Sequence, residues 1–211
     1  PDFMKLLAPT KKLGRPCSTD AGETRERLIH EARASFATIG YDATTNRTVA
    51  AAAGITTGAI YHYFPSKLDM YVAAFEQVQN MVTEAVVAAA APCDSLVDKF
   101  AAIIDALTEV SKNDASLIGF VVGVSAEARR HPELSDAIRP LRKDWAVFFQ
   151  QLCENAVARG EVGSEMTART LQDLFDVMIS GLARFAYVIN DREREDAVID
   201  GLKRFVAAAV S

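Results

Sequence analysis

The stretch TTNRTVAAAAGITTGAIYHYFPSK, residues 44–67, decides the fold, because it predicts two short helices joined by a tight turn and followed by the start of a third. Its apolar side chains are spaced so that one face of the unit packs inward; they are Val49, Ala52, Ile55, Ile60 and Phe64. The other face of the second helix carries short or flat polar groups, namely Thr57, Gly58, Tyr61, His62 and Tyr63. This pattern indicates a helix-turn-helix unit whose outer face suits the edges of base pairs.

The residues at the ends of these helices support the same interpretation. Thr45, Thr56 and Ser66 each precede a predicted helix, where a hydroxyl can accept a hydrogen bond from a free amide of the first turn. Gly54 follows a run of alanines and ends the first helix, since glycine enters the left-handed conformation without steric cost. Lys67 lies in the first turn of the third helix, where it could bind a phosphate that the helix N-terminus already attracts.

The motif resembles the DNA-binding domain of the TetR family of bacterial transcriptional regulators. The matching segments, within residues 24–71, are Phe36, Gly40-Tyr41, Thr44-Thr45, Ala53-Gly54-Ile55-Thr56, Gly58 to Phe64, and Ser66-Lys67. One departure is Asn46, where the family usually has an apolar residue. Beyond this segment the match is one of size and helical layout only.

The resemblance implies a set of DNA-binding residues. Within the matching segment they are Thr45, Arg47, Thr56, Thr57, Gly58, Tyr61, His62, Tyr63 and Lys67. Arg15, in the basic N-terminal arm, is a further candidate, for the minor groove. Thr57 and His62 are the candidates for base edges, and Thr45, Arg47 and Lys67 the candidates for phosphates. Tyr61 and Tyr63 suit a phosphate or a thymine methyl group.

The distribution of charge is more informative than the net charge of −5. Residues 1–67 carry nine Lys and Arg against six Asp and Glu, whereas residues 68–211 carry fourteen against twenty-two. A basic head on an acidic body favours a protein that touches DNA at one end only. Chance asymmetry in a helical protein is the alternative.

Other classes of protein find little support. Cys17, Cys93 and Cys153 are odd in number and scattered, which argues against a disulfide framework or a zinc site and favours a reducing, cytoplasmic setting. The three histidines lack any nucleophile, metal or phosphate-loop signature, so we expect neither an enzyme nor a cofactor. No run approaches the ~20 apolar residues of a membrane span, and no secretory signal is evident.

The rest of the chain predicts one helix after another. An apolar stripe over residues 67–90 is too long for a small domain and indicates a rod between two domains; it comprises Leu68, Tyr71, Val72, Phe75, Val78, Val82 and Ala85. Further helices are expected over residues 24–39, 96–112, 114–130, 134–159, 167–189 and 193–210, with Pro140 bending or splitting the fourth of these.

These elements predict an all-α chain in three parts. Residues 1–20 form a flexible basic arm, whose alternative is a solvated tail without a role. Residues 21–67 form a three-helix DNA-binding domain with its helix-turn-helix, and residues 68–211 form a helical domain for effector binding and dimerisation. In helix 24–39 we expect Leu28, Phe36 and Ile39 on the core face, and Arg33 on the solvated face.

The resemblance also implies a cavity for a small, hydrophobic effector. The candidate lining residues are Phe100, Ile104, Phe120, Val124, Trp145, Phe149, Phe175 and Met178, for each of which ordinary core packing is the alternative. The last two helices are amphipathic and suit a two-fold, four-helix interface. We expect a homodimer joined by Leu171, Leu174, Leu182, Phe185, Leu202 and Phe205.

The functional prediction is a sequence-specific DNA-binding regulator, a repressor released from a palindromic operator when the effector binds. An activator of the same fold is one alternative. A helical ligand-binding protein without DNA binding is the other.

Overall fold

A computed structural model describes residues 18–112 and 114–210, and in that part of the chain every regular element is a helix. The helices are α1 (Ser18–Ala43), α2 (Asn46–Ala52), α3 (Thr57–Ile60), α4 (Lys67–Ala90), α5 (Leu96–Lys112), α6 (Ala115–Arg130), α7 (Pro132–Ile138), α8 (Lys143–Ala158), α9 (Ala168–Ile189) and α10 (Arg192–Val210). This confirms the all-α fold. None of the described helices is both long and apolar enough to cross a bilayer. The expectations for the basic arm, including Arg15, and for Cys17 lie outside the described residues.

The helix starts follow the caps read from the sequence. The hydroxyls of Thr45, Thr56 and Ser66 each accept a hydrogen bond from the backbone amide three residues on, at 3.1 Å. Ser66 also donates to the Asp69 carboxylate at 2.7 Å. These bonds fix where α2, α3 and α4 begin, and therefore the angles between them.

Proline acts at two places in the middle of the chain. Pro132 opens α7, because proline fits the first helical position, where no amide hydrogen is needed. Pro140 opens a 3₁₀ turn, Pro140–Arg142, that separates α7 from α8. The single helix expected over residues 134–159 is therefore split into three pieces.

The helix α1 is interrupted at Gly40, whose φ of 80° and ψ of 175° suit glycine. A β-carbon added there would lie 3.1 Å from Oε1 of Glu127 on α6. The regular helix ends at Ile39, whose side chain is 50% exposed, which corrects its expected place in the core. The final turn of α1 brings Tyr41 next to α6, where the Tyr41 amide donates to the Glu127 carboxylate at 3.3 Å.

The first hydrophobic cluster joins the head to the body. It contains the buried residues of α1 to α4 together with Leu117, Phe120 and Val124 of α6 and residues of α7. The ring of Tyr71 on α4 lies between those of Phe36 and Phe120, at centroid distances of 4.9 and 5.1 Å. No break in packing separates the head from α6.

The second hydrophobic cluster lies in the body, among the C-terminal part of α4, α5, α8, α9 and α10. Its centre is a set of rings in which Phe175 contacts Phe100 and Phe149, at centroid distances of 5.1 and 6.0 Å. Met178 packs against the same cluster. The body therefore has a solid core of its own beside the cavity described below.

Arg33 is the largest departure from the sequence-based expectation for α1. It was expected on the solvated face but is only 3% exposed. Its guanidinium donates to the Ser116 hydroxyl at 3.1 Å, to Oε1 of Gln77 at 2.9 Å and to the Asp114 carboxylate. One side chain thereby links α1 to α4 and to the start of α6.

The pH dependence of stability should report on this link. Burial raises the pKa of Asp114, but hydrogen bonds from Ser116 and the charges of Arg33 and His30 outweigh it and lower the pKa overall. The carboxylate therefore contributes stability above its unfolded pKa, near 3.8, and loses that contribution as pH falls through the lower folded pKa.

We expect the stability difference between wild type and Asp114→Asn to shrink with acidification over that range. Asparagine can still cap α6, so the variant isolates the charge. Urea midpoints measured against pH check this, with exposed Asp196→Asn as the control. A difference that stays constant down to the acid limit would contradict it.

Candidate DNA-binding surface and ligand cavity

The turn between α2 and α3 depends on Gly54, whose φ is 70°. The next amide, that of Ile55, donates to the Ala50 carbonyl at 2.9 Å, which closes the end of α2. Ile60 and Phe64 anchor the unit in the head core, and both are buried. Ala52 is exposed, while Ala50 and Ala53 are buried, so the packed face of α2 differs from the expected one by one to two residues.

The outer surface of the unit is open. Thr57 and Gly58 in α3 are exposed, and so are Tyr61, at 53%, and His62 in the turn that follows. Tyr63 is only half-buried and packs against the head core, which corrects its expected place on the free face. The regular helix is four residues long, and the remainder of the exposed segment is a turn.

The expected phosphate contacts fall into two groups. Thr45 and Arg47 are exposed at the start of α2, and Thr56 is exposed at the cap of α3. Lys67 is half-buried: its ammonium donates to the Tyr41 carbonyl at 2.7 Å and lies 4.2 Å from the centroid of the Tyr41 ring. Lys67 therefore stabilises the end of α1, and this structural role accounts for a lysine at this position without a phosphate contact.

A cavity of about 360 Å³ lies in the body, close to the first cluster. Of the expected lining residues, Ile104, Phe120, Val124 and Trp145 line it. Phe100, Phe149, Phe175 and Met178 do not, because they form the second hydrophobic cluster.

Several lining residues were missed. Phe75, Val78 and Val82 come from α4, and the length of its apolar stripe was a signal that could have placed them there. The cavity lining also includes the charged residues Arg142, Asp176 and Glu195. Their sequence surroundings are typical of a protein surface and did not indicate that they line a cavity. Glu127 and His131 lie outside this lining, beside Tyr41 and Asp42 at the head.

The helix-turn-helix matches a known family. The family model described as "Bacterial regulatory proteins, tetR family" matches residues 28–74, which hold the α2–α3 unit and the first turns of α4. Residues 28–74 carry the DNA-binding domain of the TetR family. That family is one of transcriptional regulators and not of enzymes, and the chain is accordingly a DNA-binding regulator.

Relatives match well beyond the head. The transcriptional repressor BepR of Brucella suis is 28% identical over 175 residues, which cover 79% of this chain and 82% of BepR. The transcriptional regulator UidR of Escherichia coli K12 is 26% identical over 196 residues, covering 92% of this chain and 96% of UidR.

Solved structures share the helical layout over most of this chain. A TetR regulator from Chloroflexus aurantiacus superposes with a TM-score of 0.73 at 26% identity, covering 90% of this chain and 96% of the other. FadR from Bacillus subtilis, solved in complex with stearoyl-CoA, gives a TM-score of 0.74 at 19% identity, covering 88% and 99%. The fold therefore extends through α10.

The last two helices of this chain carry an exposed apolar face. On α9 it consists of Leu174, Val177 and Val188, and on α10 of Val198 and Phe205, which is 71% exposed. When Gly181 and Gly201 are counted with them, successive members are three, four or seven residues apart, which keeps each set on one side of its helix.

The expected interface residues only partly coincide with this face. Leu174 and Phe205 belong to it. Leu171 is buried in its own chain, Leu182 lines the cavity and Leu202 packs against the second cluster, which corrects their expected exposure. Phe185 is half-buried, with the Arg194 guanidinium 5.9 Å from its ring centroid.

Proposed function

We propose that this regulator binds a palindromic operator as a homodimer and acts as a repressor that a small, hydrophobic effector releases. In this proposal residues 1–20 form a basic arm and residues 21–67 form the DNA-binding head. Residues 68–211 form the body, which binds the effector and the second copy of the chain. The observation that carries the proposal is the exposed surface around Thr57, Tyr61 and His62 on a tightly anchored helix-turn-helix.

The proposed DNA contacts follow the exposure of the side chains. Thr57 and His62 reach base edges, and Gly58 leaves room for the DNA to come close. Thr45, Thr56 and Arg47 bind phosphates near the starts of α2 and α3, where free amides favour an anion. Tyr61 and Tyr63 contact a phosphate or a thymine methyl group, and Arg15 and Lys67 complete the set.

The exposed face of α9 and α10 supports the homodimer. A single helix-turn-helix reads few base pairs, whereas two copies held ~34 Å apart, or a multiple of it, read a palindrome. Gly181 and Gly201 lie inside helices, where glycine is unfavourable, and a β-carbon on either would meet nothing in this chain. Both glycines suit the close approach of a partner's helices across a two-fold axis.

The cavity supports release by an effector. Its volume and apolar walls fit a small hydrophobic molecule, and α4 joins these walls to the head, because Phe75 lines the cavity and Tyr71, one turn earlier, packs in the head core. Shifting a 99:1 population to 1:99 takes ~5.5 kcal/mol of differential affinity, which burial of a drug-sized apolar ligand can supply. BepR is named a repressor, which favours repression over activation.

Arg47 offers the cleanest test of the DNA-binding surface, because it is exposed and has no described partner. The DNA probe is the segment beside the protein's own gene. Arg47→Ala should weaken binding to this DNA and to other sequences by the same factor, and it should reduce the slope of log affinity against log salt concentration by about one. Gel-shift titrations at several salt concentrations measure this. Arg27→Ala, also exposed but on α1, is the matched control and should leave the slope unchanged.

Lys67→Ala belongs in the same series. A phosphate contact by Lys67 predicts the same loss of slope as Arg47→Ala. If the salt slope of Lys67→Ala stays at the wild-type value while its thermal unfolding midpoint falls, Lys67 only stabilises the end of α1 and does not contact phosphate. An unchanged slope for Arg47→Ala as well would count against this surface as the one that meets DNA.

A further inference from the structure

The cavity carries more acidic than basic charge. Asp176 on α9, an exposed residue, and Glu195 near the start of α10, a half-buried one, both line it, and neither carboxylate forms an ion pair or hydrogen bond within residues 18–112 and 114–210. Arg142 is the one Lys or Arg among the described lining residues. The formal charge of the described lining is therefore −1, with two carboxylates unpartnered.

The one positive charge already has a neighbour. The guanidinium carbon of Arg142 lies 5.5 Å from the centroid of the Phe75 ring, within the range of a cation–π interaction. The wall of the cavity thus holds a cation over an aromatic face. The aromatic residues Phe120 and Trp145 line the same space.

These features favour one ligand charge over the other. A cationic group on an apolar body would meet the free carboxylates and the aromatic faces, and its apolar part would cover the remaining walls. An anionic group could accept hydrogen bonds from Arg142 alone among the charged lining residues, and it would still face Asp176 and Glu195. A carboxylate brought near two others without a counter-charge is disfavoured.

We propose that the effector is an amphipathic organic cation, an amine or quaternary ammonium on a hydrophobic body, held by Asp176 and Glu195. This inference rests on the cavity being the effector site of the proposed repressor. It names a ligand chemistry opposite in charge to the stearoyl-CoA bound by FadR of Bacillus subtilis.

The protein contains its own reporter of binding. Trp145 is the one tryptophan in the sequence, and it lines the cavity. Its fluorescence should follow occupation of this site. Three probes with the same ten-carbon chain separate charge from hydrophobicity: decylamine, which is protonated at pH 7 like a lysine side chain, neutral decanol and anionic decanoate.

Titration of the full-length dimer with each probe is the test. We expect decylamine to bind roughly five- to tenfold more tightly than decanol, and decanoate to bind more weakly than decanol. Asp176→Asn and Glu195→Gln should each weaken decylamine several-fold and leave decanol within about twofold. Asp173→Asn and Asp196→Asn, on the same two helices but outside the cavity lining, are the matched controls and should change nothing.

The outcomes separate this inference from the proposed function. Equal affinity for the three probes, or decanoate binding tightest, overturns the cationic ligand while leaving an apolar effector site. No change in Trp145 fluorescence with any probe overturns the cavity as a binding site, and this inference with it. Charge-selective binding that leaves the operator complex intact in a gel shift supports the cation and contradicts release of the repressor.

Discussion

Arg33→Ala is expected to destabilise the protein by about 3 kcal/mol, the low end of the range for breaking a buried ion pair. The arginine is almost fully buried, and its loss leaves Asp114 without its counter-charge and Gln77 and Ser116 without their donor. The low end applies because Asp114 retains some access to water. The urea midpoint at pH 7 and fixed protein concentration measures the effect.

Two further variants make the result specific. Arg27→Ala removes an exposed arginine from the same helix and should change stability by no more than about 0.5 kcal/mol. Arg33→Lys should recover only part of the loss, because an ammonium on a flexible stem does not reproduce the planar fork of donors. Equal midpoints for Arg33→Ala and Arg27→Ala would show that the link between α1, α4 and α6 adds nothing to stability.

Val177→Asp is expected to convert the proposed homodimer to a monomer at micromolar concentration. Val177 is 66% exposed in the single chain and lies in the middle of the apolar face on α9. A carboxylate there would be desolvated against a copy of the same apolar face, and the two-fold axis would introduce the charge twice. Equilibrium sedimentation measures the change.

The same variant should bind its operator about 10²- to 10⁴-fold more weakly, because two linked heads on one palindrome gain that much from effective concentration. Val87→Asp is the matched control, since Val87 is an exposed valine on α4, outside the proposed face. It should leave both the dimer and the affinity intact. A Val177→Asp protein that remains dimeric would move the interface away from α9.

The sequence predicted the parts of this fold that depend on local chemistry. The caps at Thr45, Thr56 and Ser66 and the left-handed Gly54 are local, and the boundaries of α4 and α5 matched those read from the sequence. The exposure of Thr57 and His62 also followed from helical periodicity.

The errors concern which apolar or charged residues meet across the fold. Periodicity assigns residues to a face of a helix, but it does not say whether that face meets core, cavity or solvent. Phe175 and Leu182 are both apolar residues of α9. Phe175 nevertheless packs inside the second hydrophobic cluster, whereas Leu182 lines the cavity. Arg33 was misplaced because its partners at 77, 114 and 116 are distant in sequence.

The packing of Tyr71 between Phe36 and Phe120 limits how such regulators can be recombined. A chimera cut after residue 67 would separate a head from the α6 and α7 side chains that complete its hydrophobic interior. A head that is transferred to another body must therefore keep the α6 surface that packs against it, or that surface must be redesigned. The boundary that matters for such an exchange is this surface of α6, far along the chain from the proposed DNA-reading segment.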